Sequence, residues 1–233
     1  MSGLFCSSIG RKLLMSLSGL FLVAFLLVHL SLNALLLVPD GGEFFNAGAH
    51  FMATNPIIKI IEPILGIGFL VHIIYGIILT LQNRKARGKD RYDSGNDTHS
   101  VSWSSKNMLI LGLTVFAFLV IHLANFWVKM KITGEGMSET QIDIAGVPTH
   151  VENAYALVNA TFAHLWIVVV YIIGSLGLSF HLSHGFWSAF QTIGFSNQVW
   201  RTRLSVIGSV YAWFVGIGFS LIAVCQYLFF QNC

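Results

Sequence analysis

Charge is scarce in this chain. Asp, Glu, Lys and Arg make up 10% of its 233 residues, against 55% hydrophobic residues and 19 phenylalanines. A soluble domain carries charged side chains at about a quarter of its positions, so composition alone excludes one. Cysteine is nearly absent as well. Cys6, Cys225 and Cys233 have no metal-ligand spacing, and an iron–sulfur cluster, which takes four thiolates, cannot be built within the chain. The sequence also lacks GxGxxG, a P-loop and HExxH, the fingerprints of dinucleotide binding, nucleotide triphosphate binding and zinc peptidases. Proline occurs four times, and Pro39 opens Pro39-Asp40-Gly41-Gly42, a breaker that closes the first apolar run. No internal repeat is evident beyond the recurrence of an apolar run with one histidine inside it.

What the chain does have is five apolar stretches, roughly 13–38, 57–81, 107–128, 163–190 and 205–230. Each reaches the twenty or so residues needed to cross a bilayer. The first is too long for a signal-peptide core and is followed by no clean small-residue cleavage site. The expectation is an all-α fold, an integral membrane bundle of five transmembrane helices forming a single membrane domain over residues 1–233. Lys and Arg favour cytoplasmic flanks. Arg11 and Lys12, then Arg84, Lys85, Arg87, Lys89, Arg91 and Lys106, then Arg201 and Arg203 all fall on one side, ten of the thirteen basic residues. Only Lys59, Lys129 and Lys131 fall on the other. This bias predicts a cytoplasmic N-terminus and an external C-terminus.

Nine histidines are many for so uncharged a chain. His50, His99 and His150 fall in connections and read as solvated. His164 lies at the outer mouth of the fourth run, where interfacial hydrogen bonding accounts for it. His29, His72, His122 and His181 lie well inside four different runs. A single intramembrane histidine can serve as interhelical glue, at about 0.6–2 kcal/mol, or as a functional group. Depth separates these readings. At about 1.5 Å per residue, His29 and His122 sit roughly 5 and 7 Å past the midpoints of their helices towards the outside. His72 and His181 sit roughly 4–7 Å past theirs towards the cytoplasm. The four form two layers, each a pair drawn from different helices. Two facing imidazoles suit the axial positions of a haem iron. A zinc or transport site would bring carboxylates into the same layers, and the runs hold almost none. Ser31, Gly66, Gly68, Gly76, Gly112, Gly174 and Gly177 would let a flat macrocycle approach the backbone, or would let helices pack closely.

These residues carry a resemblance. The stretches V-H-L-S-L-N around His29, A-H-F-M-A-T-N-P at 49–56 with the following I-I-E-P, V-H-I-I-Y-G at 71–76 and F-H-L-S-H-G-F-W-S at 180–188 resemble the di-haem cytochrome b membrane anchor of succinate:quinone oxidoreductases and quinol:fumarate reductases. The type resembled is the single five-helix anchor. The region around His122 matches by its histidine and its position. The resemblance implies two b haems, the cytoplasm-proximal one on His72 and His181 and the distal one on His29 and His122. It also implies a flavoprotein with covalent FAD and an iron–sulfur subunit, both docked on the cytoplasmic face of a bacterial inner membrane. Dicarboxylate chemistry would then belong to those partners, and electrons would pass through this chain to membrane quinone, usually menaquinone, as part of respiration and the tricarboxylic acid cycle. Some members carry a glutamate two residues before the histidine matching His181, as part of a proton path; Ser179 stands there in this chain, so that path is not expected.

Glu62 is the nearest acidic candidate for protonation coupled to quinone; the competing reading is a carboxylate favoured by the helix dipole. His184, three residues after His181, reads as a rim residue facing a haem propionate, the iron–sulfur partner or the interface. Two other readings stay open: a di-haem subunit of a hydrogenase or formate dehydrogenase, and a histidine-containing transporter without haem.

Overall fold

The computed structural model describes residues 7–87 and 103–230. Cys6, Lys89, Arg91, His99 and Cys233 lie outside the described residues, as does the side chain of Arg87. The fold is an all-α membrane bundle. Five helices are long and apolar enough to cross a membrane: Ser8–Leu37, Pro56–Ala86, Met108–Thr133, Leu165–Thr192 and Gln198–Phe229.

Local sequence sets where these begin. Helix α1 (Ser8–Ala34) starts before the apolar run because Ser7 Oγ accepts a hydrogen bond from the Gly10 amide at 3.0 Å, a side-chain cap. Helix α3 (Pro56–Arg87) has proline at its first position, where the missing N–H costs nothing, and Asn55 Oδ1 accepts from the Ile57 amide at 2.9 Å. Helix α8 (Gln198–Phe229) begins seven residues earlier than the run at 205, since Asn197 Oδ1 accepts from the Trp200 amide at 2.9 Å. After helix α5 (Met108–His122) the third span continues as widened π-type turns, Leu123–Trp127 and Lys129–Thr133. Such turns in a span often mark a functional position.

The connections hold more structure than their composition suggests. Helix α2 (Glu43–Thr54) follows the Pro-Asp-Gly-Gly break, capped by Asp40, whose carboxylate accepts from the amides of Gly42 and Phe44 at 2.9 and 2.8 Å. Gly42 has φ +89°, and a Cβ there would overlap the Tyr155 ring. Helix α4 is one turn, Trp103–Lys106. Strands β1 (Glu139–Ile144) and β2 (Val147–Glu152) form an antiparallel hairpin, Ile144 opposite Val147, turned by Ala145 and Gly146 at φ 55° and 83°. Helix α6 (Ala154–Phe162) follows. Together α2, the hairpin and α6 make a cap over one end of the bundle.

The cap is held in part by polar contacts of buried side chains. Asn46, 3% exposed, accepts from the Tyr155 amide at 2.9 Å and donates to Asn153 Oδ1 at 3.1 Å. Gln226, buried in α8, donates to the Leu36 carbonyl at 2.9 Å. The buried apolar core lies beneath this cap, with Leu36, Phe45, Tyr155, Val158 and Phe162 running into Val168, Tyr171, Val215 and Ile222.

Helix α7 (Leu165–Thr192) and α8 are the closest pair, and α1 packs on both. Gly216 makes that contact possible: a Cβ on it would collide with Ser179 Oγ. Helix α3 packs on α1 and α2, and α5 packs on α7, while α3 and α5 are not closely packed on each other. Among the described residues the end opposite the cap carries Arg11, Lys12, Arg84, Lys85, Lys106, Arg201 and Arg203 and no carboxylate. It is called the basic end below.

Candidate cofactor-binding histidine pairs

Each of α1, α3, α5 and α7 contributes one histidine. The structure brings His29 of α1 to His122 at the end of α5, with ring centroids 5.7 Å apart and the planes at 86°. It brings His72 of α3 to His181 of α7 at 6.2 Å and 73°. The first pair lies towards the cap and the second towards the basic end.

The spacing of each pair is close to that of two imidazoles that would together hold one haem iron. A metal–imidazole bond of about 2 Å, with a further ~1.2 Å from nitrogen to ring centre, sets two trans imidazole centroids about 6.4 Å apart. The pair at 6.2 Å matches, and the pair at 5.7 Å needs only a slight opening. Nδ1 of His122 and Nδ1 of His181 are buried with no hydrogen-bond partner among the described residues, so no described group pins the tautomer of either ring. Among the described residues no three His, Cys, Asp or Glu side chains converge to hold a bare metal ion. Two imidazoles are sufficient for an iron whose other four ligands come from a macrocycle.

Neighbours fix the rings. Ser18 Oγ donates to the Met15 carbonyl at 3.0 Å and lies 3.4 Å from His72 Nδ1. An Nδ1–H directed at this serine oxygen and the adjoining Met15 carbonyl would leave Nε2 with its lone pair. Orientation of this kind is how outer partners hold metal-binding histidines. Asn33 Nδ2 lies 3.5 Å from His29 Nδ1 and also donates to the His29 carbonyl at 2.8 Å. A buried tyrosine stands by the other ring: Tyr171 has its centroid 6.0 Å from His122 and its hydroxyl accepts from Asn125 Nδ2 at 3.2 Å.

The small residues separate into two groups. A Cβ on Gly19 would come within 3.2 Å of His72 Cε1, and one on Gly112 within 3.8 Å of His181 Cε1. These two adjoin the histidines, and Gly19 carried no sequence signal. Gly68, Gly174 and Gly177 instead receive Phe21, Phe118 and Thr114, so they serve helix packing. Gly76 faces Met15, Gly66 faces open space, and Ser31 donates to the Leu27 carbonyl.

Glu62 is not a first-turn carboxylate of α3, so the helix-dipole reading fails. It accepts from Trp127 Nε1 at 3.1 Å and from Lys131 Nζ at 3.0 Å, joining α3 to the π-type turns beyond His122. Ser179 is fully buried and donates to the Ser175 carbonyl at 3.1 Å. Its contact with Gly216 leaves no room for a longer side chain, so a glutamate would not fit there. His184 is half-buried rather than simply exposed. Its Nδ1 is shut off without a partner and its ring meets Trp187 edge to face at 5.3 Å. His50 lies within α2 and is half-buried, a departure from the expected loop, while His150 and His164 are exposed.

The chain is similar to the succinate dehydrogenase cytochrome b558 subunit of Bacillus subtilis (strain 168), 25% identical over 182 residues. The match covers 78% of this chain and 77% of that protein. No family model matches the chain, and no solved structure matches it. The likeness thus reaches across most of both chains.

Proposed function

We propose that this chain is the di-haem membrane anchor of a succinate:quinone or quinol:fumarate oxidoreductase in a bacterial cytoplasmic membrane. The observation that carries the reading is the pair of facing histidines at each of two levels, drawn from four different helices. His72 and His181 would hold the haem nearer the basic end, and His29 and His122 the one nearer the cap. Each b haem supplies a one-electron couple when bound.

The chain's own residues do the rest. Ser18 orients the His72 imidazole, Gly19 and Gly112 keep the space beside the basic-end pair clear, and the apolar helices exclude water. The basic end faces the cytoplasm in this reading, as the Lys/Arg bias predicts. It receives an iron–sulfur subunit and, through it, a flavoprotein with covalent FAD. Quinone, of the menaquinone type, exchanges electrons with this subunit, and Glu62 is the acidic group placed to hold or release a proton near the cap-side pair. Dicarboxylate chemistry takes place on the partners.

The test is isolation of the chain from its native membrane in mild detergent. A flavoprotein and an iron–sulfur protein should co-purify, and added succinate should bring up b-type absorption bands. Co-purification with a nickel or molybdenum enzyme, or absence of any haem band, contradicts the reading.

A further inference from the structure

Helix α7 carries a stripe of Gly174, Gly177, His181 and His184, spaced three or four residues apart and so along one side of the helix. Its neighbour is α5. Gly174 receives Phe118, Gly177 receives Thr114, and Gly112 adjoins His181. Each step towards the basic end meets an earlier residue of α5, which begins at Met108. His184 therefore stands roughly 4.5 Å beyond His181, on the side that carries the histidine pair and at the level where α5 runs out.

The His184 ring is held on one side and free to donate on the other. Trp187 meets it edge to face at 5.3 Å, and the Arg201 guanidinium lies 5.3 Å over Trp187. Nδ1 is sealed off and has no hydrogen-bond partner among the described residues, while Nε2 is not sealed. A neutral imidazole donates from one nitrogen and accepts at the other. Folded proteins tolerate an unpaired buried acceptor more readily than an unpaired N–H, which places the proton on Nε2. His184 thus presents a donor beside the basic-end pair.

The chemistry of this end selects the acceptor. A carboxylate is costly within an apolar span unless cations or donors meet it. Among the described residues the basic end offers cations and no carboxylate. A haem on His72 and His181 brings two propionate carboxylates of its own, and these are favoured towards the cations rather than towards the apolar interior.

We propose that His184 donates from Nε2 to a propionate of the haem held by His72 and His181, and so fixes which edge of that haem faces the basic end. The proposal rests on the di-haem reading above and makes His184 a cofactor-binding residue that does not touch the iron.

The test uses the whole complex from cells fed aminolaevulinate isotope-labelled at its carboxyl carbon, so that the haem propionates carry the label and protein carboxylates do not. Redox difference infrared spectra then report the propionate stretches, and the basic-end haem is the one that His181→Ala removes. His184→Phe keeps a ring against Trp187 without a donor, and His184→Gln keeps an amide N–H near the place of Nε2. In His184→Phe a labelled band of the basic-end haem alone should shift. That haem should also leave the detergent-solubilised complex about tenfold faster, the weight of one hydrogen bond to a charged group. His184→Gln should return both readings towards the wild type, and should keep the haem even where His184→Phe sheds it outright. An unmoved labelled band in His184→Phe, or loss of the haem from both variants, would overturn the proposal. So would a shift confined to unlabelled bands, which would make a protein carboxylate the acceptor. Each of these leaves the two haems of the wild type, and the reading above, in place; a wild type without haem would overturn both.

Discussion

The two histidine pairs are built from the same residue type in the same bundle, yet their surroundings differ. The cap-side pair sits among aromatic rings. Phe25 stacks on His29 at 5.2 Å, Phe219 lies 5.5 Å from it, and Phe118, Phe126 and Tyr171 lie 5.4–6.0 Å from His122. The buried core and the folded cap close over this pair. At the other level, among the described residues, His72 and His181 have no aromatic neighbour but each other; a serine hydroxyl and two glycines adjoin them. One pair is held by packing and the other by a hydrogen bond and by space. The difference follows from position: the cap supplies apolar cover at one end, while the other pair lies towards the basic flank.

Single variants should therefore act on one level at a time. The largest effect is expected from His181→Ala, which should remove the haem of the basic-end pair and leave the bands of the other in place. His122→Ala should do the converse. Reduced-minus-oxidised spectra distinguish them, and loss of both signals from either variant would mean the levels are not independent.

Ser18→Ala comes next. It withdraws the oxygen that orients His72, and loss of such an outer partner weakens metal sites about 10–100-fold. Haem retention on dilution in detergent should fall for the basic-end pair alone. Tyr171→Phe is milder. It leaves Asn125 without its acceptor, at a cost of about 1 kcal/mol in denaturant unfolding, and should alter only the bands that His122→Ala removes.

The smallest structural effect belongs to Glu62→Gln. The pair with Lys131 is a third or more exposed on each side, and exposed pairs contribute about 0.2–1 kcal/mol. Glutamine still accepts from Trp127 but cannot take up a proton. Haem content and stability should hold while succinate-driven quinone reduction falls; undiminished turnover removes Glu62 from proton handling.

Much of this was legible before any coordinates. Five apolar runs set the bundle, because a bilayer demands length and apolarity that nothing else in the chain mimics. The two levels were legible because helix rise is fixed, so a histidine's place in its run gives its depth. The cap was not. Its strands alternate, as in T-Q-I-D-I before Ala145-Gly146, but only over a few residues in a short polar connection. Ser18, Gly19 and Tyr171 were invisible for a different reason: each matters through a neighbour 46 or more positions away, and no local pattern marks such a contact. The partners of Glu62 were hidden by the same limit, since Trp127 and Lys131 come from another span. The glycines show the ambiguity most plainly. Gly112 and Gly174 look alike in sequence, yet one adjoins His181 and the other receives Phe118.

The most direct test of the account is a haem count per chain on purified protein, by pyridine haemochrome, for the wild type and for His72→Ala and His29→Ala. The account predicts two b haems in the wild type and one in each variant, with different bands surviving. A wild type with no haem, or variants that each keep both, would contradict it.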